Sequence, residues 1–281
     1  MWAASYLGRW REASEHAGTL LEESRWSPCI YSYLKAAFQC MLQPELSPAE
    51  VEEQAELMAA VPRLKQRIAG KSLPMEKYAG RKAERWQAQG GRLLVPGVEL
   101  VYLWNGFSII GRHYNLVEQV YVTVQEAEKT WVKGGDYDLE NSCLLLLLRG
   151  VCLRYMGAPL GAEDCLRQVI AAGPRLQADG YMAPYATVEL ALILLKTEER
   201  REEAALLLET AKTQYKDYSL QSRLHFRIHA AQAQAREARE AREAQAMAPG
   251  IQLGKKPQGE RHTSDLLEDL GDLGEEMVPH I

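Results

Sequence analysis

The chain has 281 residues, of which 47% are hydrophobic and 25% charged, with a formal net charge of −5. Those proportions suffice to bury a core and argue against a protein that coats nucleic acid. No uninterrupted apolar run exceeds six residues, Cys143–Leu148 being one, whereas a membrane-spanning helix needs about 20.

Glycine and proline cut the chain into helix-sized pieces with apolar residues three and four apart. Gly8 separates helices over Trp2–Leu7 and Arg11–Glu23, and Pro28 opens a third whose Ile30, Tyr33, Leu34, Ala37 and Met41 share a face. Ser47-Pro48 reads as an N-cap followed by proline at the first helical position, with Glu50 and Glu53 favourable in the opening turns. Pro62 kinks or restarts that helix. Further helices are predicted over 74–89, 97–110, 114–133, 138–156, 161–172, 182–197, 199–214 and 219–246. The two-residue alternation of a half-buried strand is almost absent, so the fold class is all-α. The N-terminus lacks the basic-then-apolar pattern of a secretory signal. Five cysteines without CxxC spacing read as buried thiols of a reducing, cytoplasmic compartment.

The helices carry a repeat. Gly150, Gly157, Ala162, Leu166 and Pro174 have the spacing of a tetratricopeptide unit. A small residue lets two antiparallel helices approach, a glycine turns the chain, an alanine packs in the groove and a proline ends the second helix. Leu192, Ala204, Leu208 and Ala211 form a weaker copy, and Gly8, Trp10, Glu12 and Ala13 a third. The predicted architecture is an α-solenoid, a right-handed superhelix of degenerate tetratricopeptide-like hairpins over 1–230. An exposed charged helix extension over 231–248 follows, in which the Ala-Arg-Glu repeat leaves no sustained buried face. Residues 249–281 read as a disordered acidic tail, in which Asp265–Leu273 mixes acids with leucines suited to a short docking helix.

Several blocks resemble the tetratricopeptide repeat protein 39 family. They are Ile68–Ala79 with Arg81-Lys82-Ala83, Glu23–Ser27, Tyr33–Ala37, Glu99-Leu100 with Tyr102–Phe107, and Arg223–His229. The resemblance implies a cytosolic repeat protein that acts by binding, linked to lipid handling and organelle surfaces, with no catalytic residues to carry over. Family members are longer, so it also implies that the chain corresponds to a C-terminal half.

Candidate chemistry is sparse. Gly70-Lys71-Ser72 looks like the end of a phosphate-binding loop, but the required upstream glycine is replaced by Lys65 and the lead-in reads as helix. The alternative is a helix C-cap at Gly70, with Ser72 and Pro74 opening the next helix. His225 and His229 stand four apart without a third ligand or the glutamate of a zinc protease. No cofactor, metal, small-molecule substrate or catalytic residue is therefore expected, and an α-helical enzyme is the least favoured reading.

The segment 63–85 carries eight basic residues against Glu76 and Glu84. Helical spacing places Lys77, Arg81 and Arg85 in one stripe, with Lys71 just before it and Met75, Ala79, Ala83 and Trp86 opposite. Such a stripe suits an acidic peptide or an anionic membrane surface, or else a solvated face paired with Glu45, Glu50, Glu52, Glu53 and Glu56. Nucleic acid is disfavoured because no aromatic residues alternate with the charges. Tyr102, Trp104, Asn105 and Phe107 form an aromatic cluster that either lines a groove or belongs to the core. Within it, Asn105 would hold a bound backbone or an interhelix loop. The expected function is a non-catalytic adaptor binding a protein partner, with Lys71, Lys77, Arg81, Arg85, Tyr102 and Asn105 as candidate contacts. The alternative is a peripheral, anionic-lipid-associating protein that uses the 63–85 stripe.

Overall fold

The computed structural model describes residues 1–68 and 71–247, so the acidic tail predicted for 249–281 lies outside the described residues. Their order is α1 (Trp2–Tyr6), α2 (Trp10–Glu23), α3 (Pro28–Cys40), α4 (Pro48–Ala60), a ribbon of β1 (Arg67–Ile68) and β2 (Lys71–Ser72), then α5 (Pro74–Ala88), α6 (Pro96–Leu103) and α7 (Phe107–Ile110). The remainder is α8 (Tyr114–Thr130), α9 (Asp138–Tyr155), α10 (Pro159–Ala172), α11 (Met182–Leu194), α12 (Arg201–Thr213) and α13 (Gln221–Met247). The fold is all-α, an array in which α2–α3, α3–α4, α8–α9, α9–α10, α10–α11, α11–α12 and α12–α13 pack as successive neighbours. Cross-contacts of α6 with α1, α3 and α9 close the array onto one continuous core.

Local chemistry explains the helix boundaries. Ser47 accepts from the Glu50 N–H while the Glu50 carboxylate accepts from the Ser47 N–H, and Pro48 occupies the first turn, where a missing N–H is harmless. Ser27 caps α3 ahead of Pro28 by accepting from the Ile30 N–H, without a reciprocal carboxylate. The best repeat unit is α9–α10. Gly157 turns the chain at φ +77°, a conformation that disfavours side chains. Ala162 and Leu166 are fully buried. A Cβ on Gly150 would meet Leu166 Cγ at 3.0 Å and the Ala162 carbonyl oxygen at 3.3 Å, so glycine here sets the distance between the two helices. Gly150→Leu is expected to lower stability by about 1–3 kcal/mol through overpacking, measured as a shift in the urea unfolding midpoint at unchanged slope.

Two expectations need correcting. The helix predicted over 97–110 is two helices, because Asn105 adopts φ +63° and breaks the chain between α6 and α7. The lead-in to Lys71 is a ribbon rather than a helix: α4 stops at Ala60, two residues before Pro62, and Arg67 pairs with Ser72 and Ile68 with Lys71. Gly70 itself lies outside the described residues, and Ser72 belongs to β2 while Leu73 precedes the first turn of α5 without a capping side chain. On α13, Leu224, Ile228 and Ala231 are buried while Arg236 and Glu237 are exposed. Among the described residues no helix is long and apolar enough to cross a membrane.

Candidate functional site

Pro74 starts α5 and places its charges on two different sides of the helix. Lys77 and Arg81 are exposed, whereas Lys82 and Arg85 are buried at 2% and 4% exposure. The solvent-facing stripe is thus shorter than predicted, and Arg85 is not part of it. The reason is tertiary: Asp179, in the turn before α11, pairs with both Arg85 and Lys82, the latter at 2.8 Å. Arg85 also donates to Asn141 Oδ1 on α9, and Lys82 Nζ lies 2.7 Å from Glu99 Oε1 on α6. Tyr181 Oη donates to the same Glu99 oxygen. Burial opposes ionisation of Asp179, but Lys82 and Arg85 outweigh it and hold the carboxyl below its usual range.

Another buried carboxylate lies within α11, ten residues after Asp179. Glu189 of α11 accepts from Tyr102 Oη at 3.0 Å and from Arg227 of α13, and its Oε2 lies 2.9 Å from Arg154 Nε of α9. Tyr102 is 3% exposed, so it belongs to the core and does not line a groove. It is a link in a run of ring contacts from Tyr33 through Tyr78, Tyr181, Tyr185 and Tyr102 to Phe107. Asn105, in contrast, is exposed and adopts the left-handed conformation of the turn after α6. The missed residues Glu99 and Glu189 carry a readable signal. Each is a single carboxylate inside an otherwise apolar helix, and a charge so placed demands a buried partner.

The remaining candidate chemistry is quiet. Burial pushes the Cys29 and Cys40 thiols up to about 12 and Cys143 to about 11, which leaves them protonated and weakly nucleophilic. Among the described residues no three His, Cys, Asp or Glu side chains are grouped to hold a metal.

The exposed part of the stripe is more informative. Lys77 and Arg81 make no ion pair among the described residues. Two acids of α4 expected to neutralise them are committed elsewhere, Glu50 to Arg11 and Glu53 to Lys35 and Gln39. Arg81 instead donates to Ser219 Oγ across a cleft of about 320 Å³. Gln177, Gln214, Tyr215 and Lys216 line the same cleft, so α5, the turn before α11 and the α12–α13 loop build it together. Of the predicted contacts the cleft gathers Arg81 alone. Lys71 lies on β2, ahead of α5 in the chain.

Comparison with known proteins agrees with this architecture. The family model for Iml2/Tetratricopeptide repeat protein 39 matches residues 1–156, more than half of the chain. The chain belongs to this family. The tetratricopeptide repeat protein ttc-39B of Caenorhabditis elegans is 37% identical over 232 residues, which cover 82% of this chain and 39% of the relative. The chain therefore spans about two fifths of the length of that Iml2/tetratricopeptide repeat protein 39 relative. No solved structure matches it.

Proposed function

We propose that the chain is a non-catalytic helical-repeat adaptor that binds a protein partner, with Lys71, Lys77 and Arg81 contributing to the contact surface. Membership of a tetratricopeptide repeat family supports binding as the activity, because stacked helical hairpins present one extended surface. The observation that carries the reading is two exposed cations on α5 that make no ion pair among the described residues, one of which, Arg81, lines a cleft. Four charged side chains of this region are used inside the fold, where Lys82, Arg85, Glu99 and Asp179 neutralise one another. That is an economy suited to a scaffold. Five free thiols, four of them buried, fit a reducing, cytoplasmic setting. Burial of Lys82 and Arg85 removes two cations from the 63–85 stripe, the whole basis of the anionic-membrane reading, which is the weaker of the two.

Proximity labelling in cells tests the adaptor reading. The chain is expected to enrich a reproducible set of proteins over the labelling enzyme alone, and the Lys77→Glu, Arg81→Glu variant to lose most of that set. A wild-type profile matching the enzyme alone removes the reading.

A further inference from the structure

We infer that the cleft between α5 and the α12–α13 loop binds a short acidic peptide segment, whose carboxylates are held by Arg81 and Lys216. The inference rests on the adaptor reading and names the chemistry of the partner.

Charge and shape carry it. Arg81 and Lys216 are both exposed, both line the cleft, and neither makes an ion pair among the described residues. Lys77 stands one helical turn before Arg81 on the same face of α5 and extends the positive strip outward. Asp217 is the one carboxylate in the lining, and it would repel a peptide seated in the wrong register. The neutral lining consists of hydrogen-bonding groups. Gln177 and Gln214 supply amides. Tyr218, in the same wall, has an Oη shielded from solvent and without a hydrogen-bond partner. Burial pushes the Tyr218 hydroxyl above its ordinary pKa, so it remains a donor.

The walls are held in place before any ligand arrives. The Glu140 carboxylate, 4% exposed, accepts from the backbone N–H groups of Gln177 and Ala178 at 3.0 and 3.3 Å. Tyr185 Oη donates to the Leu220 carbonyl at 3.2 Å, and Tyr215 Oη lies 3.3 Å from Thr187 Oγ1. Both sides of the cleft are therefore anchored to α9 and α11, which lowers the ordering cost of binding. A peptide fits better than a membrane. The cations are recessed in a concavity, and no Leu, Ile, Val, Met, Phe or Trp lines it to enter a bilayer.

Fluorescence anisotropy with a labelled hexaglutamate peptide at low salt tests the inference, with hexaglutamine as the neutral control. The Arg81→Glu, Lys216→Glu variant is expected to weaken hexaglutamate binding at least about tenfold. The Lys129→Glu, Lys133→Glu variant makes the same charge change at exposed positions on and just after α8 and is expected to weaken it less than about twofold. Hexaglutamine is expected not to bind. Thermal melts confirm that both variants are folded, and Arg81→Gln, Lys216→Gln gives an intermediate loss without charge reversal. Equal weakening by the two charge-reversed variants reduces the effect to the general field of the protein and overturns the inference. So does binding to phosphatidylserine-containing vesicles without binding to hexaglutamate. Absence of hexaglutamate binding, with the proximity-labelled set intact, removes the acidic-peptide cleft and leaves the adaptor reading standing.

Discussion

Replacing Glu189 with alanine is expected to destabilise the protein by about 3 kcal/mol, the lower end of the range for stranding a buried ion pair. The Glu189 carboxylate is fully buried and holds three groups from three helices: Tyr102 of α6, Arg154 of α9 and Arg227 of α13. Removing it leaves two guanidinium groups and a hydroxyl without their anion. Arg227 keeps 23% of its side chain exposed and can regain water, which is why the lower end applies. Burial pushes the Glu189 pKa up, but Arg227 and Arg154 outweigh that push and leave it below the usual range. A carboxyl lowered in the folded state contributes stability above its unfolded value, about 4.3, and loses it as pH falls through the lower folded value. Wild type should therefore lose stability as the pH drops below about 4.3, and Glu189→Gln should lose less over the same interval. Urea midpoints from neutral pH down to pH of about 3 measure both effects. Identical acid profiles for wild type and Glu189→Gln would falsify the assignment of this acid sensitivity to Glu189.

Asp179→Ala is expected to cost about 3–5 kcal/mol, because Asp179 is 6% exposed and serves two buried cations. Lys82 would keep Glu99, while Arg85 would keep only Asn141 and its position 5.0 Å from the Tyr137 ring centre. A double-mutant cycle isolates the pair. Arg85→Met combined with Asp179→Ala should be less destabilised than the sum of the single changes by about 1–3 kcal/mol. Simple additivity would show that the two side chains are energetically independent.

Much of the local structure was readable from neighbouring residues. Ser47-Pro48 and Glu50 announce a helix start because the cap is a contact among residues within one turn. Gly150, Gly157 and Ala162 announce a hairpin because close helix approach and a left-handed turn each exclude larger side chains. The break at 104–106 was also announced, since Asn105-Gly106 is a turn dipeptide, but the apolar periodicity on either side of it suggested one continuous helix. Arg85 was misplaced for a different reason. Spacing alone puts it in line with Lys77 and Arg81, and the anion that draws it inward lies 94 residues away in the sequence.

Composition and periodicity by themselves determined the all-α class, the helix boundaries to within a few residues and the hairpin character of α9–α10. Propensity, capping and apolar spacing act over one or two turns and are written locally. Tertiary structure alone decided which charges face water. A lysine or arginine on a helix reads the same whether it is solvated or neutralised in the core, and the difference rests on distant carboxylates. Asp179 draws Arg85 and Lys82 inside, while Arg81 is left at the rim of a cleft whose other walls come from the turn before α11 and the α12–α13 loop.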